Sequence, residues 1–175
     1  AQCGAKVVVL DLFEDKAKAL ADELVQGGHT AIGLSANVLD RESLNRAHKQ
    51  VLDTFGPCDI LVNGAGGNNP KATTGDEFFD RQKYGTEGHK SFFDLDLEGF
   101  NFVFGLNFTG TLLPTQVFAK DMIDRPGSVI LNISSMNAFR PLTKIPAYSA
   151  AKAAVSNFTQ WLSTYFAKSG IRVNA

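Results

Sequence analysis

The sequence predicts an α/β fold built on a doubly wound parallel sheet. Short β-branched runs alternate with longer amphipathic segments along nearly the whole chain, and polar residues recur just past the carboxyl end of each run. Strands alternating with helices of this length imply right-handed crossovers and helices on both faces of the sheet.

Residues 5–12 (AKVVVLDL) have the length and β-branching of a strand covered on both faces. Residues 15–26 follow as a helix, with Ala17, Leu20, Ala21, Leu24 and Val25 on one face and Gly27-Gly28 ending it. Residues 30–35 (TAIGLS) form the second strand. Asp40 caps the next helix, which runs to residue 54 with Glu42 in its first turn and an apolar stripe of Leu44, Ala47, Val51 and Phe55. The third strand, residues 59–63 (DILVN), runs into Gly64-Ala65-Gly66-Gly67. After a long polar stretch come a helix over 97–124, a strand over 128–134 (SVILNIS), a helix over 147–168 and a last strand over 171–174. The chain starts beside one strand and stops inside another, so it reads as a segment of a longer protein.

The 175 residues suffice for one domain with a sizeable core, and 44% hydrophobic with 20% charged residues is an ordinary globular composition. A net charge of −1 gives no electrostatic reason to expect nucleic acid or an anionic membrane surface. No apolar run approaches the roughly 20 residues of a membrane span. Cys3 and Cys58 are far apart and fit neither a disulfide framework nor a zinc site, so a reducing cytoplasm is expected. His29, His48 and His89 show no metal spacing.

In a parallel sheet, ligands sit beyond the carboxyl ends of the strands. The groups there are Asp11, Asn37, residues 63–67 and Ser134-Ser135, four strand ends offering polar groups to one crevice. Tyr148 and Lys152 stand four residues apart on a helix of small residues, so they share a face. A phenol is a poor base at neutral pH, but an ammonium about 5 Å away at an effective dielectric near 20 favours the phenolate by roughly 3 kcal/mol. A tyrosine so tuned can exchange a proton with an alcohol or carbonyl oxygen.

The combination is more specific than any part of it. Tyr-x-x-x-Lys lies thirteen residues after Ser135, Asn63-Gly64-Ala65-Gly66 follows an earlier strand, and Asn107 lies in the intervening helix. Together these resemble the short-chain dehydrogenase/reductase family over nearly the whole chain. The resemblance implies a Rossmann-like sheet and an NAD(P)-dependent oxidoreductase that interconverts a secondary alcohol and a ketone. Tyr148 then matches the catalytic acid/base, and Lys152 the residue that eases its proton loss and holds the nicotinamide ribose. Ser135, rather than Ser134, matches the serine that polarises the reacting oxygen. Asn107 matches the asparagine that helps hold a relay water. Asn63, Ala65 and Gly66 match the turn lining the cofactor, and Asn37 with Val38 the adenine contact. Asp11 stands where a carboxylate receives the adenosine ribose hydroxyls, which favours NAD over NADP. The family's glycine-rich turn, which belongs to its first strand-helix unit, is not in this sequence, so the expected domain over 1–175 is partial, lacking that unit and the C-terminal end. Alternatives on the same fold are a catalytically silent nucleotide-binding module and an epimerase that retains its cofactor.

Residues 67–95 read as a substrate-side insertion, since a long loop beside the crevice is where recognition is commonly built. GGNNPKATT, FNFTGTLLPTQVFAKDM and SSMNAFRPLTKIPAYSAAK resemble the sugar-acid branch of the family. A sugar acid needs a cation for its carboxylate and polar groups for its hydroxyls. Lys71, Arg140 and Lys144 are candidates for the first role; Asn68, Asn69 and Asn137, beside Ser135, are candidates for the second. The family pairs the helices equivalent to 97–124 and 147–168 across a dimer axis, so a homodimer or homotetramer is implied.

Overall fold

The computed structural model describes residues 1–175. β1 (Val7–Asp11) pairs in parallel with β2 (Ala31–Ser35), and between them α1 (Glu14–Gln26) crosses over. Glu14 and Asp15 place negative charge in the first turn of α1, where the helix dipole favours it. Ala17 and Ala21 are its buried residues, and the packing on β2 is close. A Cβ on Gly33 would stand 2.3 Å from the carbonyl of Ala17, so only glycine fits. α2 (Arg41–Phe55) is capped by the Asp40 carboxylate, which accepts the Glu42 N–H, and buries Leu44, Ala47 and Val51.

β3 (Ile60–Asn63), β4 (Val129–Asn132) and β5 (Arg172–Asn174) form a second parallel sheet in the order β3-β4-β5. The long loop after β3 contains two short 3-10 turns, Pro70–Ala72 and Phe92–Asp94. α5 (Pro146–Tyr165) returns the chain from β4 to β5. It begins at the proline itself, whose missing N–H costs nothing in a first turn. It ends three residues before the expected boundary, in a 3-10 turn closed by Gly170 at φ 74°.

One expectation needs correction. The helix predicted over 97–124 is three pieces: α3 (Leu97–Phe104), a π-helical turn (Gly105–Thr109) and α4 (Gly110–Phe118), followed by a 3-10 turn. The cause is local. The side-chain amide of Asn107 donates to the Val103 carbonyl at 2.7 Å, the acceptor that its own backbone N–H would use in an α-helix. Pro114 then deprives the Gly110 carbonyl of its α-helical donor.

The strands form two parallel sheets, β1–β2 and β3–β4–β5, and β1 shares no ladder with β3. The halves meet through helices instead. Leu44, Ala47 and Val51 of α2 join Val117, Phe118 and Met122 in one core cluster. His48 of α2 bonds the Asp121 carboxylate at 2.8 Å, and the Cys58 N–H donates to the same oxygen at 3.1 Å. The outer face of β3 is open, with Ile60 60% and Val62 55% exposed. Unpaired strand edges beside uncovered apolar residues make a weakly held sheet. This 175-residue chain alone is therefore expected to melt broadly at low temperature. A sharp, cooperative and reversible calorimetric transition would contradict that.

Candidate active site

Asp11 and Asn37 follow the parallel strands β1 and β2, residues 63–67 and 134–135 follow the parallel strands β3 and β4, and the close approach of Val38 to Gly110, in the same turn region as Asn107, brings the two sets of strand ends together. α5 brings Tyr148 and Lys152 to the same end. Tyr148 is half-buried and packs on a small cluster of Ala72, Val103 and Ala147, with Phe100 beside it. Lys152 is almost wholly buried, and burial lowers its pKa from the ordinary lysine value. Its ammonium lies 5.6 Å from the centre of the Tyr148 ring, so phenol and cation are neighbours as the spacing requires.

That ammonium has an anchor that the sequence did not reveal. Nζ donates to the carbonyl of Ile133 at 2.6 Å, two residues before Ser135. The Ile133 N–H still bonds Asn63 across the strands, at 3.0 Å. Lys152 therefore meets a free carbonyl where β4 runs out, beside the serine.

Gly66 completes the arrangement. A Cβ there would stand 2.6 Å from Asn107 Oδ1 and 3.4 Å from Lys152 Nζ, so both side chains close on the space beside this glycine. Asn107 is fully buried. Its amide donates to the Gly67 carbonyl at 2.7 Å, and its oxygen accepts the Gly67 N–H at 3.3 Å. The π-helical turn thus holds the glycine loop in place by a two-way bond.

Ser135 is extended and its hydroxyl accepts the Asn137 N–H at 3.2 Å. Ser134 turns the other way, its hydroxyl 2.5 Å from that of Ser156 on α5. Of the two serines, Ser134 is tied into the helix packing. Asn63 is buried and points inward: its amide reaches Thr115 at 2.9 Å and Asn132 at 2.8 Å. Asn132 continues to Thr159 on α5 at 2.9 Å. Sequence reading missed Asn132, although the signal was present: ILVN and VILN both end in asparagine, and the two pair in register.

At the far side of the crevice one Asp11 oxygen accepts the Phe13 N–H at 2.9 Å, which leaves the other oxygen for a ligand. Asn37 accepts from Leu39 at 2.9 Å through its side chain, and Val38 packs against Gly110. Ala65 stands between Gly64 and Gly66 in the glycine loop. Among the proposed substrate contacts, Asn68 bonds Thr73 at 2.9 Å and Asn69 caps the 3-10 turn through the Lys71 N–H at 2.8 Å. Both amides serve the loop itself. Asn137 is buried with Oδ1 unpartnered. Lys71 and Arg140 are in no ion pair. No group of three or more His, Cys, Asp or Glu residues could hold a metal, and no helix is long and apolar enough to cross a membrane.

The arrangement joins a phenol, a buried ammonium, a serine hydroxyl and a glycine loop at the mouth of a parallel sheet. Such a site can move a proton on one oxygen and steady charge developing there. The short chain dehydrogenase family model matches residues 1–175. An uncharacterized oxidoreductase of Haemophilus influenzae is 57% identical over 173 residues, covering 98% of this chain and 59% of that protein. A crystal structure from Haemophilus influenza with bound NAD, provisionally named a D-mannonate oxidoreductase, superposes with a TM-score of 0.95 at 56% identity, over 98% of this chain and 61% of the other. A gluconate 5-dehydrogenase from Burkholderia cenocepacia, in complex with NADP and tartrate, gives a TM-score of 0.81 at 26% identity, over 99% and 61%. The chain thus spans about three fifths of the length of the relatives it matches.

Proposed function

The chain belongs to the short-chain dehydrogenase family, and from that premise we propose that the whole protein interconverts a secondary alcohol and a ketone on a sugar acid, the pair D-mannonate and D-fructuronate. The observation that carries the reading is the contact set of Lys152 with the Ile133 carbonyl, the Tyr148 ring and the Gly66 loop, beside Ser135. The likeness to the NAD-bound protein provisionally named a D-mannonate oxidoreductase and to the gluconate 5-dehydrogenase supports the substrate class.

In this reading a nicotinamide dinucleotide, when bound, gives or takes the hydride. The residues of this chain do the rest. Tyr148 exchanges the hydroxyl proton of the substrate, and Ser135 donates a hydrogen bond to the same oxygen as charge develops on it. The Lys152 ammonium, 5.6 Å from the Tyr148 ring centre, places positive charge beside the reacting oxygens. Asn107 fixes the glycine loop against which a flat ring can lie. The free oxygen of Asp11 suits ribose hydroxyls and would repel a 2′-phosphate, so NAD is preferred over NADP. Ala65, Gly66, Asn37 and Val38 line the rest of that path.

A run of aromatic contacts supports self-association. Phe108, Phe158, Trp161 and Tyr165 lie in sequence across α5 and the π-helical turn, and Trp161 and Tyr165 are stacked at 4.9 Å while 56% and 66% exposed. A second copy would cover them in a homodimer or homotetramer.

The test is nicotinamide absorbance with full-length protein, both dinucleotides and a panel of hexonates. Net NAD reduction with D-mannonate is expected. Interconversion of epimers without added NAD would favour the epimerase, and turnover of neutral polyols or sterols in preference to hexonates would overturn the substrate class.

A further inference from the structure

A cavity of about 280 Å³ lies in the seam between the loop after β3 and the segment leading into α5. Its walls are pinned to each other: the Thr74 N–H donates to the Lys144 carbonyl at 2.9 Å and the Gly75 N–H to the Lys90 carbonyl at 2.7 Å. Thr74 and Pro146 both line it. Each is two residues from a member of the group that packs together at the phenol, Ala72 on one side and Tyr148 on the other. Two residues of extended chain span at most about 7 Å. The cavity is therefore a neighbour of the candidate reaction centre.

Its cations are not equivalent. The Lys90 ammonium donates to the carbonyls of Pro70 and Lys71, at 2.8 and 2.6 Å. His89 faces Asp76 at 3.8 Å, and Lys83 bonds Asp76 at 2.8 Å, which holds that carboxyl below the usual carboxylate range. Lys144 has neither an ion pair nor a side-chain hydrogen bond; its charge acts on Asp76 only through space, so its ammonium can still donate to a ligand. It also holds a left-handed backbone conformation, φ 72°, that a lysine rarely adopts. Around it stand hydroxyl acceptors in Asp76 and Glu77 and exposed ring faces in Phe78 and Phe92. One carboxylate-binding cation, acceptors for several hydroxyls and apolar faces for C–H groups together describe a polyhydroxylated acid.

We propose that Lys144 anchors the carboxylate of the sugar acid in this cavity, while the alcohol to be oxidised, several carbons away, lies at Tyr148 and Ser135. This rests on the sugar-acid reading above and selects Lys144 over Lys71 and Arg140. The competing carboxylate Asp76 is already paired with Lys83, and of the two lysines lining the cavity only Lys144 has no hydrogen-bonded partner.

The experiment compares full-length wild type with Lys144→Gln, Lys144→Arg, Lys71→Gln and Arg140→Gln, on D-mannonate and on D-mannitol, the same carbon chain with its carboxylate reduced. Lys144→Gln is expected to raise KM for D-mannonate about 10–100-fold with little change in kcat, the loss of one charge-assisted hydrogen bond. The preference for acid over polyol falls by the same factor, and Lys144→Arg restores part of it. A normal KM in Lys144→Gln, or an equal loss on both substrates, overturns the assignment. If wild type oxidises no hexonate, the reaction reading fails separately, and calorimetry of D-mannonate binding decides this one. Binding lost only in Lys144→Gln upholds the anchor, and equal or absent binding in wild type and variant sinks it.

Discussion

Replacing Tyr148 by Phe in the full-length protein is expected to lower kcat by about 10²–10⁴-fold, the usual worth of a positioned acid/base. The change removes one oxygen from a side chain that otherwise keeps its packing on Ala72, Val103 and Ala147. Stability should stay close to wild type, since the ring carries that contact. Dinucleotide affinity should fall little, because Lys152 keeps its bond to the Ile133 carbonyl without the phenol. The informative result is the combination: turnover lost, fold and cofactor binding retained. Single-turnover absorbance, a thermal melt and a fluorescence titration measure the three. A Tyr148→Phe enzyme within about threefold of wild-type kcat would remove the phenol from the chemistry, far short of the effect expected of an acid/base.

Gly66→Ala is expected to damage fold and site together. The new methyl would meet Asn107 Oδ1 at 2.6 Å. Asn107 cannot retreat without cost, because it is fully buried and its amide is bonded to both Gly67 and Val103. Either the loop lifts, breaking its two-way bond to Asn107, or the π-helical turn rewinds. Overpacking and a broken buried hydrogen bond together destabilise by about 2–5 kcal/mol. Denaturant unfolding of the full-length protein checks this. The double variant Gly66→Ala with Asn107→Ala removes the struck atom, so it should recover part of the loss, a coupling that a double-mutant cycle reads directly. Strict additivity would mean that the collision is relieved elsewhere.

The alternation of strands and helices was legible because it rests on local periodicity, and most boundaries moved by only one to three residues. The broken helix was not legible. A continuous apolar pattern over 97–124 says nothing about an asparagine amide competing for the Val103 carbonyl. Within the candidate site, spacing set Tyr148 and Lys152 on one helix face, while Ser135 came with the family resemblance. Asn68 and Asn69 read as outward-facing polar groups, yet the loop uses both for its own turns. A side chain with backbone donors two residues away satisfies itself first. Lys144 could be named from sequence, but its freedom from partners is visible only once Lys83, Lys90 and His89 have been paired off.

The division between the β1–β2 and β3–β4–β5 sheets bears on how the crevice behaves. Asp11 rides on one half and Gly66 on the other, and α2 against α4 is what joins them. Ladder bonds fix a separation rigidly, whereas interlocking aliphatic side chains tolerate small rotations. In this 175-residue segment the spacing between Asp11 and Gly66 therefore rests on packed side chains alone, and a ligand reaching from Asp11 to Lys152 would bridge the two halves.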